Sequence, residues 1–140
     1  MTLCVLLLGV AALAQQSEPW PPSAMLAPAT LAGEMAKGSA PPVVFVGFPI
    51  LYKGAHIPKA IFAGPCSKQE GLDLLAKAVK DMPHDAEIVI YCGCCPFVHC
   101  PNVKPAYSAL QSAGFTNVKI LQLETNLHTD WVEKGYPTEK

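Results

Sequence analysis

The sequence predicts an α/β fold with a central, mainly parallel sheet of about five strands flanked by helices. Three observations point there. The runs VVFV at 43–46 and EIVIY at 87–91 are almost continuously apolar, the pattern of strands buried on both faces. Segments with helical spacing of apolar residues alternate with these runs. The chain has 140 residues, a length that suits one core rather than two.

From the N-terminus, residues 2–14 carry no charge and end in Ala12-Leu13-Ala14, a small-x-small pattern that suits signal peptidase. The run is shorter than the roughly 20 apolar residues of a membrane-spanning helix. We therefore expect residues 1–14 to be a cleaved signal peptide. The mature protein would be exported, periplasmic or secreted, with no membrane association after cleavage. Cys4 leaves with the leader, and the remaining five cysteines enter an oxidising compartment. Five is odd, so at least one thiol stays free unless two chains pair. Residues 15–25 are a Pro-rich lead-in, and the folded domain is expected over 26–140.

Within that domain, 30–37 is a short helix with Thr30 as N-cap and Gly38 as stop. The strand at 43–46 follows, then a shorter one around Ala60-Ile61-Phe62. Over 68–80, Leu72, Leu74, Leu75, Ala78 and Val79 recur at helical spacing, closed by Pro83. After the strand at 87–91, a helix at 105–113 turns Ala106, Leu110 and Ala113 inward, with Gly114 in the C′ position. A strand at 118–123 and a last short helix at 128–134 complete the order.

Composition excludes several functions. The net charge is −1, without a basic run, so neither nucleic acid nor an anionic membrane is an expected partner. All ten cationic residues are lysine; no arginine is present, which removes any bidentate guanidinium clamp. There is no Gly-rich phosphate loop and no Ser-His-Asp ordering, and no cofactor is expected.

The chemistry concentrates in Cys92-Gly93-Cys94-Cys95-Pro96-Phe97-Val98-His99-Cys100. This segment begins where a buried strand ends and stops where a helix begins, the edge at which open α/β sheets bind ligands. A thiol there faces a helix N-terminus, whose free N–H groups favour thiolate and hence a nucleophile. Cys92 is the expected catalytic residue, and Cys94, Cys95 and Cys100 are secondary thiols. Gly93, Pro96, Phe97, Val98 and His99 form the active-site loop. Cys95 completes a C-x-x-C pair with Cys92 and is the natural resolving thiol or disulfide partner. Cys94, beside Cys95, is expected to face elsewhere. Cys66 reads equally as an isolated loop thiol or a disulfide partner. His56, Trp131 and Tyr136 read as structural, His84 as a solvated loop residue, and Trp20 as a surface contact.

Four segments in order resemble rhodanese-like domains: Gly54-Ala55-His56-Ile57-Pro58-Lys59-Ala60-Ile61, then Ile88-Val89-Ile90-Tyr91-Cys92, then Gly114-Phe115-x-x-Val118, then Trp131-x-x-x-Gly135-Tyr136-Pro137. The resemblance spans roughly Leu26 to Lys140. It implies a single rhodanese domain, with Cys92 taking sulfane sulfur from a small donor such as thiosulfate. The persulfide then passes to cyanide or a thiol acceptor. This chain differs from the family pattern in three places. The loop after Cys92 is longer, its arginine is absent, and Gly47-Phe48-Pro49 stands where Asp-x-Arg is often found. A longer loop either admits larger donors or folds over the thiol.

Two other readings remain open for the same loop. Cys92, Cys94, Cys95, His99 and Cys100 are soft donors that suit a Cu(I) or Zn ion. Alternatively, disulfides would brace the loop, stabilising a small exported domain by roughly 2–4 kcal/mol. Dithiol redox work, with Cys92 attacking and Cys95 resolving, is a variant of the thiol reading.

Overall fold

The computed structural model describes residues 19–140, so the expected leader at 1–14 lies outside the described residues. Five parallel strands form one sheet: β1 (Met25–Leu26), β2 (Val43–Phe45), β3 (Ile61–Phe62), β4 (Ile88–Tyr91) and β5 (Val118–Leu121). Their spatial order is β1-β5-β4-β2-β3. Val43 pairs with Val89 and Ile90 with Ile120, which leaves β4 at the centre.

Side chains alternate across the sheet, and each face meets its own cover. Val44, Ile88, Ile90 and Ile120 pack under α3 (Gln69–Val79) and α4 (Val103–Ser112). Val43, Phe45, Val89, Tyr91 and Leu121 pack on the opposite face with Leu31 of α1 (Pro28–Ala36) and Trp131. Both faces of β2 and β4 are therefore dry, which is why their sequences show no polar alternation. In α4 the buried positions are Val103, Ala106, Tyr107 and Leu110, the i, i+3, i+4, i+7 stripe of an amphipathic helix.

Several boundaries differ from expectation. α1 starts two residues earlier than Thr30, with Ala27 as N-cap and Pro28 in the first turn, where a missing N–H costs nothing. α4 likewise starts at Val103, before Pro105. A six-residue helix, α2 (Pro49–Gly54), was not expected, because one and a half turns with no buried residue leave no periodic signal. The last helix is a π-helical turn, His128–Val132.

The Pro-rich lead-in is docked from Trp20 onward. Trp20 is buried in the core rather than lying on the surface, edge-on against Tyr107 at 5.1 Å between ring centres. Met25–Leu26 then adds the outer strand beside β5. At the other end, Trp131 is fully buried and its Nε1–H donates to the Pro137 carbonyl at 2.8 Å. His56 is a structural residue, stacked on Tyr52 and hydrogen-bonded through Nδ1 to its carbonyl. No helix among the described residues is long and apolar enough to cross a membrane.

Candidate active site

β4 runs to the C-terminal edge of the sheet and delivers Cys92 there. Gly93 takes φ +83°, a left-handed conformation open to glycine, and turns the chain away at once. The Leu127 N–H fastens that turn by donating to the Gly93 carbonyl at 3.0 Å. Further along, Phe97 is buried and its N–H donates to the Leu123 carbonyl. Val98 packs against the core, whereas His99 is exposed. The loop thus folds back over the sheet edge, and Cys92 is only 2% exposed.

Four sulfurs gather at this point. Cys92 Sγ lies 3.3 Å from Cys94 Sγ, and Cys94 Sγ lies 2.9 Å from Cys95 Sγ. The sulfurs of Cys92, Cys94 and Cys100 all fall within 4.8 Å of one another. Cys94 therefore faces Cys92 rather than elsewhere, contrary to expectation. Left-handed Gly93 swings the backbone so that residue 94, not residue 95, comes back beside the thiol. His99 belongs to the loop but stands outside the sulfur cluster. Cys66 is also apart: it is buried, with Sγ facing the Gly64 and Gly71 carbonyls, and burial pushes its thiol up to about 12. All five cysteines of the described residues are free thiols.

The negative charge settles on a different sulfur from the expected one. Cys100 sits at the start of α4 and accepts the N–H groups of Asn102 and Val103. The facing Cys92 thiol and these N–H groups bring Cys100 down to about 6, despite its burial. Cys92 is pushed well above the ordinary thiol range, first by its hydrogen bond to Cys100 and then by burial. The pair shares one proton, which rests on Cys92. Cys95 is raised to about 12, mainly by burial.

Asn102 was not singled out from the sequence. It is fully buried, its Nδ2 donates to Cys92 Sγ at 3.4 Å, and its Oδ1 accepts the Ser67 N–H at 2.9 Å. An asparagine just before a helix suggests an N-cap. Here the side chain makes no capping bond and instead ties the loop after β3 to the thiol. Gly47 clears the opposite side: a Cβ there would lie 2.7 Å from Cys92 Sγ and 2.8 Å from the Phe45 ring.

A cavity of about 390 Å³ opens beside the cluster. Cys92, Gly93 and Cys94 form part of its lining, with Leu51 of α2, Leu127 and Val132 among the apolar walls. Cys100 does not line it, so the cavity meets the sulfur cluster at Cys92 and Cys94.

A cysteine at the end of the central strand of a five-stranded parallel sheet can be compared with known domains. The rhodanese-like domain profile matches residues 41–123, more than half of the chain. The chain belongs to the rhodanese-like domain family. The BH2092 protein of Bacillus halodurans superposes on this rhodanese-like domain with a TM-score of 0.65 at 26% identity, covering 84% of this chain and 77% of that one. The rhodanese-like domain of an Anabaena protein gives a TM-score of 0.60 at 22% identity, over 83% and 78% of the two chains. A rhodanese-related protein of Thermoplasma volcanium gives 0.57 at 20% identity, over 82% and 96%. The last two show the fold alone. No curated protein sequence matches this rhodanese-like domain significantly.

Proposed function

We propose that this rhodanese-like domain transfers sulfane sulfur through a persulfide on Cys92. The observation that carries the reading is the position of Cys92, at the end of β4 and on the wall of the cavity, facing its hydrogen-bond donors. The Cys94 N–H and the Asn102 amide both point at Cys92 Sγ and would hold an anionic persulfide there. Cys100 supports the same chemistry as the base. When a donor enters, Cys92 Sγ attacks the donor's outer sulfur as its proton passes to Cys100, so no free Cys92 thiolate has to form first. The donor's S–S bond breaks, and its electron pair leaves with the departing group. Cys94, at 3.3 Å and exposed, is the nearest acceptor, with Cys95 one step further. On this reading the sulfur moves in the order 92, 94, 95, with Cys95, the resolving thiol that the C-x-x-C spacing suggests, reached through Cys94.

Intact mass of the reduced, metal-free protein, before and after a sulfane donor, tests this. A gain of one sulfur atom, removable by cyanide, mapped to Cys92 and lost in Cys92→Ser, is the expected result. A competing reading is a soft-metal site, favoured by the three sulfurs within 4.8 Å of one another. It would replace sulfur transfer if no mass were gained and Cu(I) or Zn bound stoichiometrically and tightly. Export rests on the leader, and an N-terminus at Gln15 in the secreted protein is the matching expectation.

A further inference from the structure

Resting on the sulfur-transfer reading, we propose that the cavity beside Cys92 selects a sulfane donor with an apolar body, such as an aryl or alkyl thiosulfonate, over thiosulfate. Phe45, Leu51, Leu127 and Val132 line the space next to Cys92 and Cys94. The face that α2 turns to the cavity is apolar at its outer rim as well: Ile50 is 76% exposed and Leu51 more than a third exposed, while Tyr52 and Lys53 lie outside the cavity lining. Among the described residues no lysine lines the cavity, and the chain has no arginine. Two polar side chains of the lining already have partners. Asn126 Oδ1 accepts the Thr129 N–H, and His128 Nε2 lies 3.4 Å from a Glu133 carboxylate oxygen.

Charge and area decide the direction. Thiosulfate is a compact dianion and must shed water to approach a 2%-exposed sulfur through an apolar mouth with no fixed cation. An aryl thiosulfonate carries one charge fewer, and its ring buries apolar surface against Leu51 and Val132. Both donors present the same outer sulfur. With benzenethiosulfonate, Cys92 Sγ bonds to that sulfur as its proton passes to Cys100, and the bond to the sulfonyl sulfur breaks. Benzenesulfinate leaves with the electron pair, the persulfide anion stays on Cys92, and the Cys92 proton is on Cys100.

The test compares loading of Cys92 by benzenethiosulfonate and thiosulfate, each normalised to its rate with free glutathione. The normalised aryl rate should exceed that of thiosulfate at least tenfold. Leu51→Lys, at a partly exposed position, should cut that ratio at least tenfold by adding a cation and removing the apolar wall. A ratio near one, or one that Leu51→Lys leaves unchanged, overturns the specificity while leaving sulfur transfer intact. Benzenesulfinate has no sulfur to give, so its binding reads the cavity separately. Binding that Leu51→Lys weakens, without loading by either donor, overturns sulfur transfer and supports the apolar site.

Discussion

Replacing Asn102 by alanine removes two bonds from one buried side chain. The Ser67 N–H loses its acceptor at 2.9 Å, and Cys92 Sγ loses a donor at 3.4 Å. An unsatisfied buried amide costs about 1–3 kcal/mol, and the exposed Ser67 lets water recover part of it, so the low end applies. The longer bond to sulfur and the gap left by the amide bring the total to about 2 kcal/mol. For a domain of this size that lowers Tm by about 6–10 °C. Thermal unfolding by circular dichroism, in reductant, measures it. Asn102→Asp separates the two bonds. It keeps an oxygen for Ser67 but sets a carboxylate oxygen against the Cys92 sulfur. Its Tm should fall at least as far, because a carboxylate buried beside the Cys100 thiolate loses its hydration, and persulfide formation slows about tenfold or more, because a like charge opposes the anion. If Asn102→Ala melted within about 2 °C of the parent and loaded sulfur at the parental rate, Asn102 would not be the positioning residue described here.

Other outcomes follow from the same geometry. Gly47→Ala should destabilise by about 1–3 kcal/mol through overpacking and slow sulfur loading, since the new methyl meets both Cys92 Sγ and the Phe45 ring; unaltered loading kinetics would contradict the packing. Trp20→Ala should cost about 3 kcal/mol, the low end for a buried tryptophan because its Nε1–H has no partner, and urea unfolding checks it. Stability should rise with pH from about 6 to 9. Over that range Cys100 is already ionised in the fold but still protonated in the unfolded chain. Above 9 it should fall, because Cys92, Cys95 and Cys66 hold their protons in the fold longer than in the unfolded chain. Melting curves of Cys100→Ser should lose the rise between 6 and 9, and a rise that persisted would place the charge on another group.

Four of the five strands and the longer helices were legible because apolar runs and helical spacing are local signals; β1, two residues at the end of the Pro-rich lead-in, carries no such run. Val43–Phe45 and Ile88–Tyr91 are buried on both sides, so their composition alone marks central strands. Cys92 was legible as well, since a cysteine directly after such a strand must stand at the sheet's ligand-binding edge. α2 was not, because six residues with none of them fully buried carry no core pattern.

The sulfur cluster divides the same way. Sequence spacing places Cys92, Cys94, Cys95 and Cys100 on one loop, but spacing says nothing of which sulfurs meet. A left-handed Gly93 and the bond from Phe97 to Leu123 decide that, and both depend on neighbours distant in the chain. The charge on Cys100 and the role of Asn102 depend on the start of α4 meeting the loops after β3 and β4. By itself the sequence determined the family, the sheet and the place of Cys92 at the sheet edge, because local hydrophobic pattern dictates burial. Only the tertiary structure decided which thiol holds the proton, which sulfurs meet, and what lines the cavity beside Cys92. Those properties arise from contacts between segments that no local pattern encodes.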